Sequence, residues 1–224
     1  NPPPPPTRPA PRRPPPPGPP GSPPLLALRR RLAKNAFTVL MLSRGTPMFL
    51  AGDEFLNTQY GNNNAYCQDN EISWLDWSFL EKNREHFEYV KNVIRIRKKH
   101  DVIRRAAGSC SLGFPEIQVQ GPDEHTKVLR VIYAGRSHED RGDDVVCLAV
   151  NVFWEEQEFR LPSLPSWMGW TVEADSFGTY LPNGIPESRA CLLESDVVRM
   201  GPRSTLVLSC CDRHMQGFGG QRAK

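Results

Sequence analysis

The sequence predicts a mixed fold, in which a few elements of an α/β barrel precede an all-β antiparallel sandwich. Three observations carry that expectation. A helical period in residues 25–44 runs through a short turn into the unalternating apolar run Met48-Phe49-Leu50-Ala51-Gly52. From about Cys110 the period shortens to that of strands, with Gly, Pro, Asn or Asp between the runs. Between these two regimes lies a polar, aromatic-studded loop from Asn57 to Trp77.

The first helix is expected over Leu25–Arg44, where Leu25, Leu28, Leu32, Ala36 and Val39 form one stripe and Leu26, Ala33, Phe37 and Leu40 the adjoining one. Gly45 tolerates the left-handed stop, and Pro47 prevents continuation. An apolar run entered this way fits a strand buried on both faces of a parallel sheet. It ends in Asp53-Glu54, and the C-terminal ends of such strands are where α/β barrels carry their sites. No second helix-then-buried-strand unit exists, so this strand is an orphan of a larger barrel. With no barrel to pack in, the segment Leu25–His100 is expected to be the protease-sensitive part and the sandwich from about residue 105 the resistant one. The loop exceeds the roughly 12–15 residues beyond which a structureless loop is functional or disordered. A second helix is predicted over Phe79–His100, with Leu80, Phe87, Val90 and Ile94 on one face and a cationic end that suits the helix dipole. Seven β-prone runs follow: residues 117–120, 128–134, 145–153, 156–161, 170–174, 197–200 and 204–210. The expected organisation is a Pro-rich disordered tail (1–24), barrel elements (25–104), a sandwich (105–211) and a flexible tail (212–224).

Composition excludes several classes. Fifteen of the 23 prolines fall in residues 1–24, which also hold Arg8, Arg12 and Arg13 and no acid. The whole net charge of +3 therefore belongs to the tail, and the body is neutral. A nucleic-acid-binding body, which needs clustered cations on the fold itself, is not expected. No apolar run approaches the roughly 18–20 residues of a membrane span. The six cysteines form no CxxC, and free thiols in a reducing compartment are expected. The chain opens on Asn1, without a signal pattern, and reads as a fragment.

Catalytic constellations are sparse. Asp53 and Glu54 are sequence neighbours, so on a strand they point to opposite faces and cannot flank one bond. The five histidines share no i,i+4 pair, no metal site can be assembled, and no GxSxG elbow is present. No cofactor is called for. The loop is the richer region. Its amides offer donor and acceptor together, matching sugar hydroxyls, and its aromatic faces suit the C–H side of a sugar ring.

Two long runs carry a resemblance. Gly45-Thr46-Pro47-Met48-Phe49-Leu50-Ala51-Gly52-Asp53-Glu54-Phe55, with the run from Gly61 to Trp77 (GNNNAYCQDNEISWLDW), closely resembles the isoamylase-type glycogen debranching enzymes of the α-amylase clan. The resemblance implies that the first helix is the last complete helix of a (β/α)8 barrel, residues 48–52 its eighth strand, and the loop an insertion at its C-terminal face. The later segment resembles the family's C-terminal β-sandwich. Lys98–Arg105 is similar to the family's junction, with Asp101 where Pro commonly stands, and the Trp usually expected around residues 117–121 is absent. The family's nucleophile Asp, acid/base Glu and third carboxylate follow barrel strands four, five and seven, all upstream of the matched region. No catalytic residue is therefore carried over. Asn62, Asn63, Asn64, Tyr66, Gln68, Asp69 and Asn70 carry over as cleft wall near substrate. The implied parent hydrolyses α-1,6 branch linkages of glycogen or related α-glucans, in the cytoplasm or, in a plant or alga, the plastid. Two other readings stay open: a stand-alone glucan-binding sandwich, and an interaction polypeptide that uses the proline tail.

Overall fold

The computed structural model describes residues 21–137, 142–187 and 191–212. The expected proline tail, over residues 1–20, and the expected C-terminal tail, over 213–224, lie outside them. Helix α1 spans Pro23–Leu42, two residues earlier at each end than predicted, with prolines in its first turn where a missing N–H costs nothing. The single predicted second helix is three pieces: α2 (Ser78–Lys82), α3 (Arg84–Lys99) and α4 (Asp101–Arg104). Non-helical backbone at Asn83 and His100 interrupts them.

The β region is antiparallel throughout the described residues. Strands β1 (Ile117–Gln120), β2 (Val128–Arg136), β3 (Asp143–Asn151), β5 (Met168–Asp175), β6 (Cys191–Leu192) and β8 (Ser204–Asp212) form a six-stranded sheet of order β1-β2-β3-β8-β5-β6. Strands β4 (Gln157–Arg160) and β7 (Val197–Met200) form a two-stranded sheet. All seven predicted runs are strands. The two-residue β6 is the addition, too short to carry a pattern.

The large sheet is buried on both faces. In β3, Val145, Cys147 and Ala149 join the core beneath the small sheet, with Phe159, Val198 and Met200. Val146 and Leu148 point the other way, into a core with Phe37, Met41, Leu42, Tyr89, Val90, Val93 and Ile96 of the helices. The period-two alternation of one strand thus serves two cores, and the molecule has three layers: helices, large sheet, small sheet. This corrects the expectation that residues 25–100 lack anything to pack against. The helices use the outer face of the sheet, and polar stitches fix the contact. Asn35 Nδ2 donates to Arg203 O at 2.9 Å, Asn35 Oδ1 accepts from Ser176 Oγ at 2.6 Å, and Arg31 donates to Pro202 O at 2.8 Å.

The run Met48–Gly52 is not a strand. Among the described residues no strand pairs with it, and Met48 and Leu50 are 86% and 64% exposed. The physical reason is the one that made it an orphan: a parallel strand needs neighbours, and this chain offers none. Its apolar exposure continues onto α1, where Leu26, Leu32 and Val39 of the predicted stripes face outward while Phe37 and Met41 are buried in the core.

Candidate functional site

The loop that follows is fastened at its base. Gly52 turns with φ 101, a conformation that suits glycine, and its N–H donates to the Glu54 carboxylate at 2.8 Å. A 3-10 turn at Asp53–Phe55 then buries the Phe55 ring, 5.4 Å from Trp77. Asn57 closes the loop by accepting the Asp76 N–H at 3.0 Å, and Asn83 Nδ2 donates to Phe55 O at 3.0 Å.

Within the loop the amide side chains repeat one device. Asn62 Oδ1 accepts from Asn64 N, Asn64 Oδ1 from Tyr66 N and Asn70 Oδ1 from Ile72 N, at 2.9, 2.9 and 3.0 Å. Each is an Asx turn, the side chain standing in for a backbone acceptor two residues earlier. Gln68 Nε2 donates to Asn64 O at 2.9 Å, and Asp69 Oδ1 takes the Trp74 indole N–H at 2.8 Å. Five of the seven predicted contact residues therefore spend one polar group on shaping the loop. The side chains of Asn63 and Tyr66 make none of these bonds, and both residues are exposed, Tyr66 at 82%. Tyr60, Trp74 and Trp77 are also exposed, so the loop shows solvent four aromatic faces.

Strain concentrates here. Leu56, Tyr60 and Cys67 have positive φ, and only Arg203 joins them among the described non-glycine residues. Left-handed backbone without glycine costs about 1–3 kcal/mol per residue and persists where surrounding bonds impose it. The Asp76 carboxyl lies below its usual range because the Ser78 hydroxyl and N–H both donate to it, a local cap rather than a catalytic pairing. No group of three His, Cys, Asp or Glu side chains suited to a metal occurs among the described residues. Asp53 and Glu54 sit in the 3-10 turn, not on a strand, and Glu54 is committed to the Gly52 amide.

The fold is shared with known enzymes. A pullulanase from Anoxybacillus sp. LM18-11, solved with maltotetraose, superposes with a TM-score of 0.60 at 20% identity, over 82% of this chain and 24% of that one. The chain is 42% identical over 181 residues to a glycogen operon protein GlgX homolog of Mycobacterium tuberculosis, covering 68% of this chain and 24% of that protein. It is 44% identical over 82 residues to the chloroplastic isoamylase 3 of Oryza sativa, covering 36% of this chain and 10% of that protein. No family model matches. The chain is thus similar to isoamylase-type glycogen debranching enzymes, and it spans about a quarter of the length of the GlgX homolog.

Proposed function

We propose that the chain is the C-terminal part of an enzyme that hydrolyses α-1,6 branch linkages in glycogen or a related α-glucan, with net retention through a glycosyl-enzyme. The observation that supports it best is the 42% identity over 181 residues to a longer protein, of which the match covers only 24%. The outward apolar side chains of α1, Met48 and Leu50 support it independently, as the face on which further barrel elements would pack. In this reading α1 is the last complete barrel helix, residues 48–52 are its eighth strand, formed only beside its neighbours, and the working compartment is the cytoplasm or plastid. The three family carboxylates would come from elsewhere in the longer protein. The 224-residue chain is then expected to release no reducing ends from glycogen or pullulan. Turnover above buffer that survives repurification would defeat the reading and return attention to Asp53, Glu54 and Asp69.

The loop from Asn62 to Asn70 belongs, on this proposal, to the wall of the glucan cleft. Asn63 and Tyr66 are the clean probes, because Ala there breaks none of the bracing bonds described above. In an enzyme restored to full length, Asn63→Ala or Tyr66→Ala is expected to lower kcat/KM for branched glucan. A lost contact of about 1–3 kcal/mol corresponds to roughly 5- to 150-fold. Asn70→Ala, by contrast, is expected to lower the melting temperature as well. A pattern in which all three variants change only Tm would assign the loop to structure.

A further inference from the structure

Two contiguous cavities open where the middle of α1 meets the first turn of α3. The smaller, about 70 Å³, is lined by Arg30, Lys34, Lys82, Asn83, Glu85 and His86. The larger, about 220 Å³, shares Arg30, Lys34 and Glu85, adds Arg31, and is walled opposite by Phe177 and Pro182. Four cations meet two acids here, and both acids are engaged. Glu85 pairs with Lys34 at 2.6 Å, and the Asp175 carboxylate accepts the N–H groups of Phe177, Gly178 and Tyr180 at 2.9, 3.1 and 2.8 Å. Arg31 is held over the Phe177 ring at 4.4 Å. Lys82 donates to the Ser78 hydroxyl at 2.9 Å and lies 4.9 Å from the Phe79 ring centroid, and no carboxylate pairs with Lys82 or Arg30 within salt-bridge distance among the described residues.

The first turn of the 16-residue helix α3 opens at the same place, and Asn83 gives it no side-chain cap. Its amides and dipole favour an anion there. An independent feature points the same way. His86, in the wall of the smaller cavity, is only 3% exposed, yet neither ring nitrogen has a hydrogen-bond partner. Buried polar atoms of this kind ordinarily have one. The ring is held edge-on to Phe37, with centroids 5.7 Å apart. The Asp53 backbone lies near enough to raise its basicity but not in hydrogen-bonding geometry.

We propose that this junction binds a phosphate-type oxyanion, the phosphoryl group of a small phosphomonoester in the smaller cavity and its organic body in the larger. Arg30, Lys82 and the α3 amides supply the charge and donors that a phosphoryl group takes, and Phe177 and Pro182 give the body an apolar wall. No bond is made or broken, so the function is recognition. It does not rest on the debranching reading. His86 provides an internal reporter. Burial, with Lys34 and Arg30, holds its pKa down at about 4, and an anion that offsets those cations will raise it.

The test is an NMR titration of the His86 ring in the 224-residue chain with inorganic phosphate and, in parallel, a hexose 6-phosphate, against chloride at matched ionic strength. A saturable shift of the ring and an upward move of its pKa are expected with both phosphates, with the sugar phosphate binding about tenfold more tightly. The doubly substituted variant Arg30→Gln/Lys82→Gln, which removes two exposed side chains and leaves the core alone, should bind at least about tenfold more weakly at an unchanged melting temperature. A phosphate response no larger than that to chloride, or one untouched by the two substitutions, overturns the site. Equal affinity for the two phosphates overturns the role of the larger cavity.

Discussion

Arg97→Met is expected to cost about 3–5 kcal/mol of folding stability, the scale of losing three hydrogen bonds from one charged donor. The Arg97 guanidinium is 8% exposed and faces the end of α1 rather than an acid. Nη1 donates to Met41 O at 2.6 Å and Ser43 O at 2.7 Å, and Nη2 to Gly45 O at 2.6 Å. A helix leaves its last carbonyls without partners, and here one planar cation from α3 serves the end of α1 and the turn beyond it. Methionine preserves most of the stem volume, so the loss isolates the three donors. Each bond from a charged donor contributes about 1.5–3 kcal/mol, though not additively, and the stranded carbonyls add a desolvation cost. Lysine, with one point of charge, should recover only part. Lys98→Met, at an exposed position of the same helix, is the control and should stay within about 0.5 kcal/mol. Urea denaturation gives the comparison through the midpoint at constant m-value. A loss below about 1 kcal/mol for Arg97→Met would mean that α1 holds its end without this cap.

Arg97 also shows where sequence reading stopped. The cationic end of α3 was legible as a dipole match, but that Arg97 turns inward while Lys98 stays exposed depends on a partner 52–56 residues away. The sandwich was legible because its strands alternate, and in β3 the same alternation encodes two cores. What period two cannot say is which second layer covers each face. The helical layer therefore came as a finding. Met48–Gly52 went the other way. Its local pattern is that of a buried strand, and the absence of neighbours overrides it. In the loop, composition alone favours turns over sugar contacts for an Asn run. Only the geometry separated Asn62, Asn64 and Asn70, whose side-chain oxygens close Asx turns, from Asn63, which makes no such bond.

The second large effect lies between the helices and the sheet, and pH should tune it. His100, 5% exposed at the end of α3, directs Nδ1 to the Asp144 carboxylate of β3 at 2.7 Å and Nε2 toward Glu173 of β5 at 3.8 Å. Glu173 also takes Lys99 Nζ at 2.6 Å and the Ser209 hydroxyl of β8 at 2.8 Å. It stands at a register shift in β5, where Val172 faces Leu208 and Ala174 faces Val207, so the extra residue turns toward the helices. Burial alone would lower the His100 pKa. The two carboxylates outweigh it and raise the pKa above its ordinary 6.5. Burial likewise works to raise Glu173, and His100 with Lys99 outweighs it, holding the carboxyl well below its ordinary 4.5. A histidine with a raised folded pKa contributes fully below its unfolded value and loses that contribution as pH climbs through the folded one. A depressed carboxyl contributes above its unfolded value and loses that contribution as pH falls through the folded one. The network should therefore be strongest between about 4.5 and 6.5 and weaken on the alkaline side, by at most about 1.4 kcal/mol per pH unit for the one proton involved. His100→Gln keeps a hydrogen-bonding side chain but leaves Asp144 buried without its counter-charge, and should cost about 3–5 kcal/mol near pH 5.5. The deficit should shrink as pH rises, because the parent protein then loses the same proton. Urea titrations of both proteins from about pH 5 to 9 make the comparison. Parallel pH profiles in the two would show that His100 is uncharged in the fold and that the alkaline loss comes from another group.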